Sequence, residues 1–119
     1  MLKFEKVTNE TSLVIEEMFS SHDLPAQDVA YCIKADDTYV GIIDYTVQQS
    51  KAILSYLLIH HDYEGYGYGT NAYYTFEEII KRDHVKEIEI TLIDKNERVI
   101  AFFEQVGFQQ HNHVYIKQL

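Results

Sequence analysis

Apolar residues recur along this chain with two periods, and the switches between them lay out the order of its elements. Residues 2–7 (LKFEKV) read as a short opening strand. Over 10–20, Leu13, Val14, Met18 and Phe19 fall on one helical face, with Asn9 or Thr8 available as N-cap. Ser20–Gln27, which holds Pro25, reads as a loop with room for one helical turn. Two strand-like runs follow, Val29–Lys34 and Tyr39–Gln48, joined by the hairpin signal Asp36-Asp37-Thr38. A second turn at Gln49-Ser50 leads into Ala52–Ile59. That run is almost continuously apolar, the pattern of a central strand buried on both faces.

Beyond it, His60–Gly69 is a loop that becomes glycine-rich at its end. Ala72, Tyr73, Phe76, Ile79 and Ile80 then carry helical spacing over Thr70–Arg82, and Lys81 and Arg82 suit the negative end of the helix dipole. Residues 87–93 alternate, with Ile88, Ile90 and Leu92 inward against Glu87, Glu89 and Thr91. Strand, glycine loop, helix, strand is a βαβ unit, so these two strands are expected to be parallel with a right-handed crossover. Asp94-Lys95-Asn96-Glu97 has capping-box spacing. Val99, Ile100, Phe102, Phe103 and Val106 follow as a helical face that stops at Gly107, a good left-handed cap. Phe108–Gln110 and Val114–Gln118 can close as a strand pair around Asn112. The expected class is α/β, a mixed sheet with one parallel pair near its middle.

Composition narrows the setting. A chain of 119 residues has room for one core, so 1–119 is expected to be a single domain. Hydrophobic residues make up 46%, including ten Tyr and six Phe, which favours a folded state over disorder. No repeat, low-complexity tract or linker is visible. No apolar run reaches the ~18 residues of a membrane span, and MLKFEKVTNE lacks the apolar core of a signal peptide. The single Cys32 allows no intramolecular disulfide and fits a reducing compartment, so a cytoplasmic protein is expected. The net charge is −9, with 19 acidic residues against 10 Lys and Arg. Such a field disfavours nucleic acid and anionic membranes as partners, and draws cations. An anion site in this chain has to be made locally, from backbone amides.

The strongest candidate for such a site is Glu64-Gly65-Tyr66-Gly67-Tyr68-Gly69-Thr70, between the apolar strand and the helix. Glycines let successive N–H groups converge on one point, and the helix start adds its own N–H groups and dipole. A pyrophosphate fits such a nest; the plain alternative is a loop that only needs positive φ. Two phosphate motifs do not match. Thr70-Asn71 supplies no P-loop lysine, and the glycine spacing is GxGxG where a dinucleotide fingerprint requires GxGxxG.

Two segments together resemble the GCN5-related N-acetyltransferase (GNAT) family. Residues 57–69 are similar to its strand-and-loop signature V-x-P-x-x-[RQ]-x-x-G-x-[GA], with Ile59 at the Val, His61 at the Pro and Glu64 at the Arg/Gln. About thirty residues later, Asn96 to Phe108 is similar to N-x-x-A-x-x-[FL]-Y-x-x-x-G-F. The resemblance covers residues 40–119 by motif and the front third by element order. It implies the acyl-CoA N-acyltransferase fold: a mostly antiparallel sheet with a splayed central parallel pair and flanking helices. Acetyl-CoA would then be the co-substrate, without a metal. Its pantetheine arm would bond to the backbone near Leu58 and Ile59, its diphosphate would rest on Glu64–Thr70, and Asn96, Phe102 and Phe103 would line it. A main-chain N–H near Leu58 would polarise the thioester carbonyl while an amine attacks.

Three residues depart from the family's pattern. Glu64 replaces the Arg/Gln and Tyr66 a frequent basic residue, so the loop has lost positive charge. Phe103 stands where the family has a Tyr whose hydroxyl can protonate the leaving thiolate; a thiol pKa near 8.5 makes that acid dispensable. Ile53 stands where many members carry a Glu base. Ser55 and Tyr56 are candidates to order a proton-relaying water, and His60 to take the proton near neutrality. His60, His61, His84, His111 and His113 lack standard metal-ligand spacing, and Cys32 reads as core. The expected activity is transfer of an acetyl group to a primary amine of a small molecule or peptide, with a cationic acceptor favoured by charge. The open alternatives are a weakly catalytic acyl-CoA sensor and an interaction domain, and a homodimer is compatible with either.

Overall fold

Three hairpin turns depend on a residue that accepts a left-handed backbone: Asp36 at φ 53°, Gln49 at 57° and Asn112 at 59°. Asp and Asn tolerate this region because a short polar side chain can bond locally. In a computed structural model, which describes residues 2–18, 31–91 and 97–119, these turns join most of the antiparallel strands. The strands are β1 (Leu2–Lys6), β2 (Tyr31–Ala35), β3 (Thr38–Gln48), β4 (Lys51–Ile59), β5 (Glu87–Ile90), β6 (Gln109–His111) and β7 (Val114–Gln118). The helices are α1 (Asn9–Met18), α2 (Tyr68–Arg82) and α3 (Glu97–Gln105), with a 3-10 turn at His61–Tyr63. Among the described residues the strands form one sheet in the order β1-β2-β3-β4-β5-β7-β6. β4 and β5 are parallel, from Lys51↔Glu87 to Leu54↔Ile90. β1–β2, β2–β3, β5–β7 and β6–β7 are antiparallel. The mixed, mostly antiparallel sheet with a central parallel pair is therefore what forms.

Contacts divide the chain into two units, 1–44 with 56–78, and 45–55 with 79–119. In the first, Ile15, Cys32 and Ile42 are buried together, with Val7, Tyr39, Tyr56 and Leu58 packed against them. The Cys32 thiol is raised above its ordinary range chiefly by burial. α1 begins at a reciprocal cap: the Thr8 N–H donates to Thr11 Oγ1 at 2.7 Å, and the Thr11 N–H to Thr8 Oγ1 at 3.3 Å. The buried face of α1 is Thr11 and Ile15, and the expected face is wrong: Leu13 is 67% and Val14 37% exposed. The hydrophobic count misled because Thr11, polar by type, has its hydroxyl engaged in the cap and can face inward.

In the second unit, Ala52, Leu54, Ile88 and Ile90 are buried on one face of the parallel pair. α3 ends as the sequence suggests. Gly107 adopts φ 109°, the Phe108 N–H reaches the Phe103 carbonyl at 2.9 Å, and the Gly107 N–H reaches the Glu104 carbonyl at 3.1 Å. This double bond pattern is a Schellman cap, closed by the Phe103 and Phe108 rings at 5.4 Å. β4 does not meet the expectation of burial on both faces. Ala52 and Leu54 are buried, but Ser55 is exposed and Tyr56–Ile59 are half-buried. Val29, the Ser20–Gln27 loop, Phe19, Leu92 and the capping box up to Asn96 lie outside the described residues.

α2 is anchored by Ala72, Tyr73, Phe76 and Ile80, all fully buried. Glu77 is buried too, one turn after Tyr73. Burial first, and the neighbouring Glu77 carboxylate second, push the Tyr73 hydroxyl far above its usual value of 10.0. A phenol raised in the fold contributes stability held in full below pH ~10 and lost as pH climbs above it. Tyr73→Phe should therefore flatten the decline in unfolding free energy above pH ~10, measured by urea titration. An unchanged alkaline decline would place its cause elsewhere.

Candidate functional site

At the end of β4 the chain must leave the sheet and start a helix within eight residues, His60 to Gly67. The His60 N–H stays tied to the Val40 carbonyl at 2.8 Å, and its Nδ1 accepts from the Asp62 N–H at 3.2 Å, capping the 3-10 turn. Gly65 and Gly67 then take φ 86° and 80°. An added Cβ at either would meet nothing within 4 Å, so the need for glycine there is conformational and the cradle is open. α2 starts at Tyr68, two residues earlier than its apolar spacing suggests, because Gly67 rather than Gly69 serves as cap. Its first main-chain bond runs from the Asn71 N–H to the Gly67 carbonyl at 3.0 Å. The N–H groups of Tyr68, Gly69 and Thr70 precede that bond and have no intrahelical acceptor. They stand at the positive end of a fifteen-residue helix.

No Lys or Arg occurs between Ala52 and Ile80, while Asp62 and Glu64 are on the loop itself. Attraction for an anion therefore comes from oriented amides. Aromatic rings gather on the same loop: Tyr63 lies 6.4 Å from Tyr68, and Tyr66 6.1 Å from Tyr68. Donor direction, open space and positive φ are the features from which a backbone anion site is built.

The structure brings Leu58, Ile59, His60 and Glu64–Thr70 together as one run of the first unit. Ser55 is exposed and Tyr56 half-buried. The His60 ring lies 4.1 Å from that of His61, and its Nδ1 is 3.6 Å from an Asp62 carboxylate oxygen. His60, His61 and Asp62 put three ligand-type atoms within 4.8 Å of one another, a proximity that sequence spacing does not reveal. In the second unit, Phe103 is 4% exposed, packed edge-on against Phe102 at 5.1 Å as well as Phe108. Asn96 lies outside the described residues.

Two residues escaped sequence reasoning. Glu89 stands in register with Ile53 on the neighbouring strand, and its carboxylate accepts from Lys51 Nζ at 2.8 Å. Gly41 is the other. β3 carries an extra residue against β2 there, since Ile33 pairs with Gly41 but Lys34 with Tyr39. Gly41 lies so close to β4 that a Cβ would collide with the Leu58 carbonyl and press on Ile59. No motif marks it; an isolated glycine inside a strand pattern is the only signal.

The profile of the acetyltransferase (GNAT) family matches residues 3–108. No curated protein matches the chain. Solved structures similar to it include an acetyltransferase from Thermus thermophilus, 21% identical, with a TM-score of 0.86 over 100% of this chain and 97% of that one. The PaiA N-acetyltransferase of Thermoplasma acidophilum, in complex with coenzyme A, is 15% identical with a TM-score of 0.73, covering 100% and 99%. Arabidopsis thaliana Naa50, in complex with the bisubstrate analogue CoA-Ac-MVNAL, is 15% identical with a TM-score of 0.79, covering 99% of each. The chain belongs to the GNAT acetyltransferase family, and its fold is that family's.

Gly41→Ala tests the close approach of β3 to β4. The methyl group should cost about 1–3 kcal/mol in unfolding free energy by urea titration, the usual penalty of overpacking. A neutral result would mean that the two strands stand further apart there.

Proposed function

We propose that this chain is an acetyl-CoA-dependent N-acetyltransferase that moves the acetyl group to a primary amine of a small molecule or peptide. The observation that carries the reading is the turn at Gly65–Thr70, whose N–H groups converge at the end of a parallel strand in a GNAT fold. The diphosphate of the donor rests on the Tyr68, Gly69 and Thr70 amides. The pantetheine arm runs along Leu58 and Ile59, and β4 continues five residues past its last rung with β5 at Leu54. Support also comes from PaiA with coenzyme A and Naa50 with a coenzyme A–peptide analogue.

In the transfer, the amine nitrogen bonds to the thioester carbon, the C–S bond breaks, and sulfur leaves with the electron pair. An amine with a pKa near 10.4 must first lose a proton. Ser55, exposed on β4, orders a water on its path, while Tyr56 faces the opposite side of the strand and packs on the core; His60 accepts the proton. To do so at Nδ1 it releases the Asp62 N–H, and the Asp62 carboxylate then holds the imidazolium. Phe103 has no hydroxyl to offer the leaving thiolate, which at a pKa near 8.5 departs unaided; the second proton, lost from nitrogen as the amide forms, passes to solvent water. The acidic surface favours a cationic acceptor, drawn by the field that Asp36, Asp37, Asp44 and Glu17 contribute to. A second reading, an acyl-CoA sensor with little turnover, draws on Ile53 and on Phe103 buried in the core.

A thermal shift series with coenzyme A and acetyl-CoA, followed by thiol release against an amine panel, separates the two. Ligand at 100 times its dissociation constant should add about 2.7 kcal/mol of stability. Gly67→Val, strained at positive φ, should remove that gain. Spermidine-like amines should react faster than acidic amino acids, with kcat/KM falling as salt shrinks the Debye length from ~10 to ~3 Å. Stabilisation without thiol release would favour the sensor; no stabilisation by either ligand would overturn both readings.

A further inference from the structure

Tyr66 is the most exposed of the large hydrophobic side chains among the described residues, at 74%. It stands between two glycines held at φ 86° and 80°, so the backbone on both sides is fixed by turn geometry and open to solvent. Its ring is not isolated. Tyr68 lies 6.1 Å away at 40°, Tyr63 lies 6.4 Å beyond Tyr68, and His60 is 6.0 Å from Tyr63. These contacts form a row of rings along the loop that leads to the free amides of α2.

Coenzyme A carries its diphosphate between the pantetheine arm and an adenosine. With the diphosphate on the Tyr68–Thr70 amides and the arm on β4, the adenosine leaves from the far end of the diphosphate. The span from Ala52 to Ile80 offers that end no Lys or Arg. What it does offer is a phenol face, and base–aromatic stacking needs no cation.

We propose that Tyr66, backed by Tyr68, is the platform on which the adenine of the acyl donor stacks, so that the nucleotide end is held by ring contact in place of charge. The inference rests on the cofactor reading above and goes beyond it by assigning the base a named side chain. A purine ring stacks through its π-face, so other purines should be accepted in place of adenine.

The test titrates the wild-type chain, Tyr66→Ala and Tyr66→Phe with 3′-dephospho-coenzyme A and with 4′-phosphopantetheine, which lacks the adenosine, by calorimetry. Tyr66→Ala should weaken dephospho-coenzyme A by about five- to 150-fold, the range of one base stack, and leave phosphopantetheine within about twofold. Tyr66→Phe, which keeps the ring, should stay within about threefold of wild type for both. The adenine H2 and H8 proton signals should move upfield on binding wild type and not on binding Tyr66→Ala, a readout independent of how weakly phosphopantetheine binds. Equal loss for both ligands would make Tyr66 a support of the loop, and no loss for either would make it a bystander; each overturns the inference while the cofactor reading survives. Failure of the wild-type chain to bind either ligand would instead remove the cofactor reading, and the inference with it.

Discussion

The rest of the site depends on how the chain passes from β4 into α2. A parallel pair requires the connecting helix to run back against the strands, which sets the helix start at the strand's C-terminal end. Gly65 and Gly67 make that reversal short by taking positive φ. The buried residues Ala72, Tyr73, Phe76 and Ile80 fix the helix from its other side. Three amides are thereby left facing outward at one place. Local backbone conformation creates the donors, and core packing holds them still. Neither alone would give a site.

A site made of amides behaves differently from one made of lysines. Its charge is partial, fixed in direction and independent of pH, and its field falls off within the first turn. In a chain of net charge −9 this allows an anion to be bound at short range while anions are repelled at long range. At long range the same field attracts cations.

Much of the fold was legible because periodicity, turns and caps agreed with one another. Gly107 shows this best: its place after an apolar helical face predicts the cap, and the Phe103–Phe108 contact completes it. The turns at Asp36, Gln49 and Asn112 were equally readable. α1 was not, since Leu13 and Val14 are the more apolar pair but Thr11 and Ile15 face the core. Periodicity counts residue types and cannot see a hydroxyl already engaged in a cap. β4 differs for a related reason: an unbroken apolar run looks the same whether its second half is fully or only half buried. The glycine turn between strand and helix is marked in the sequence, whereas Gly41, whose missing Cβ leaves room for the Leu58 carbonyl, has no motif.

The most direct measurement of the central claim is an amide ¹⁵N–¹H titration with coenzyme A. If the diphosphate rests on the helix start, the Tyr68, Gly69 and Thr70 amide signals should move downfield together, with one dissociation constant shared by Gly65 and Gly67. Saturating shifts confined to other elements, with those amides unmoved, would contradict it.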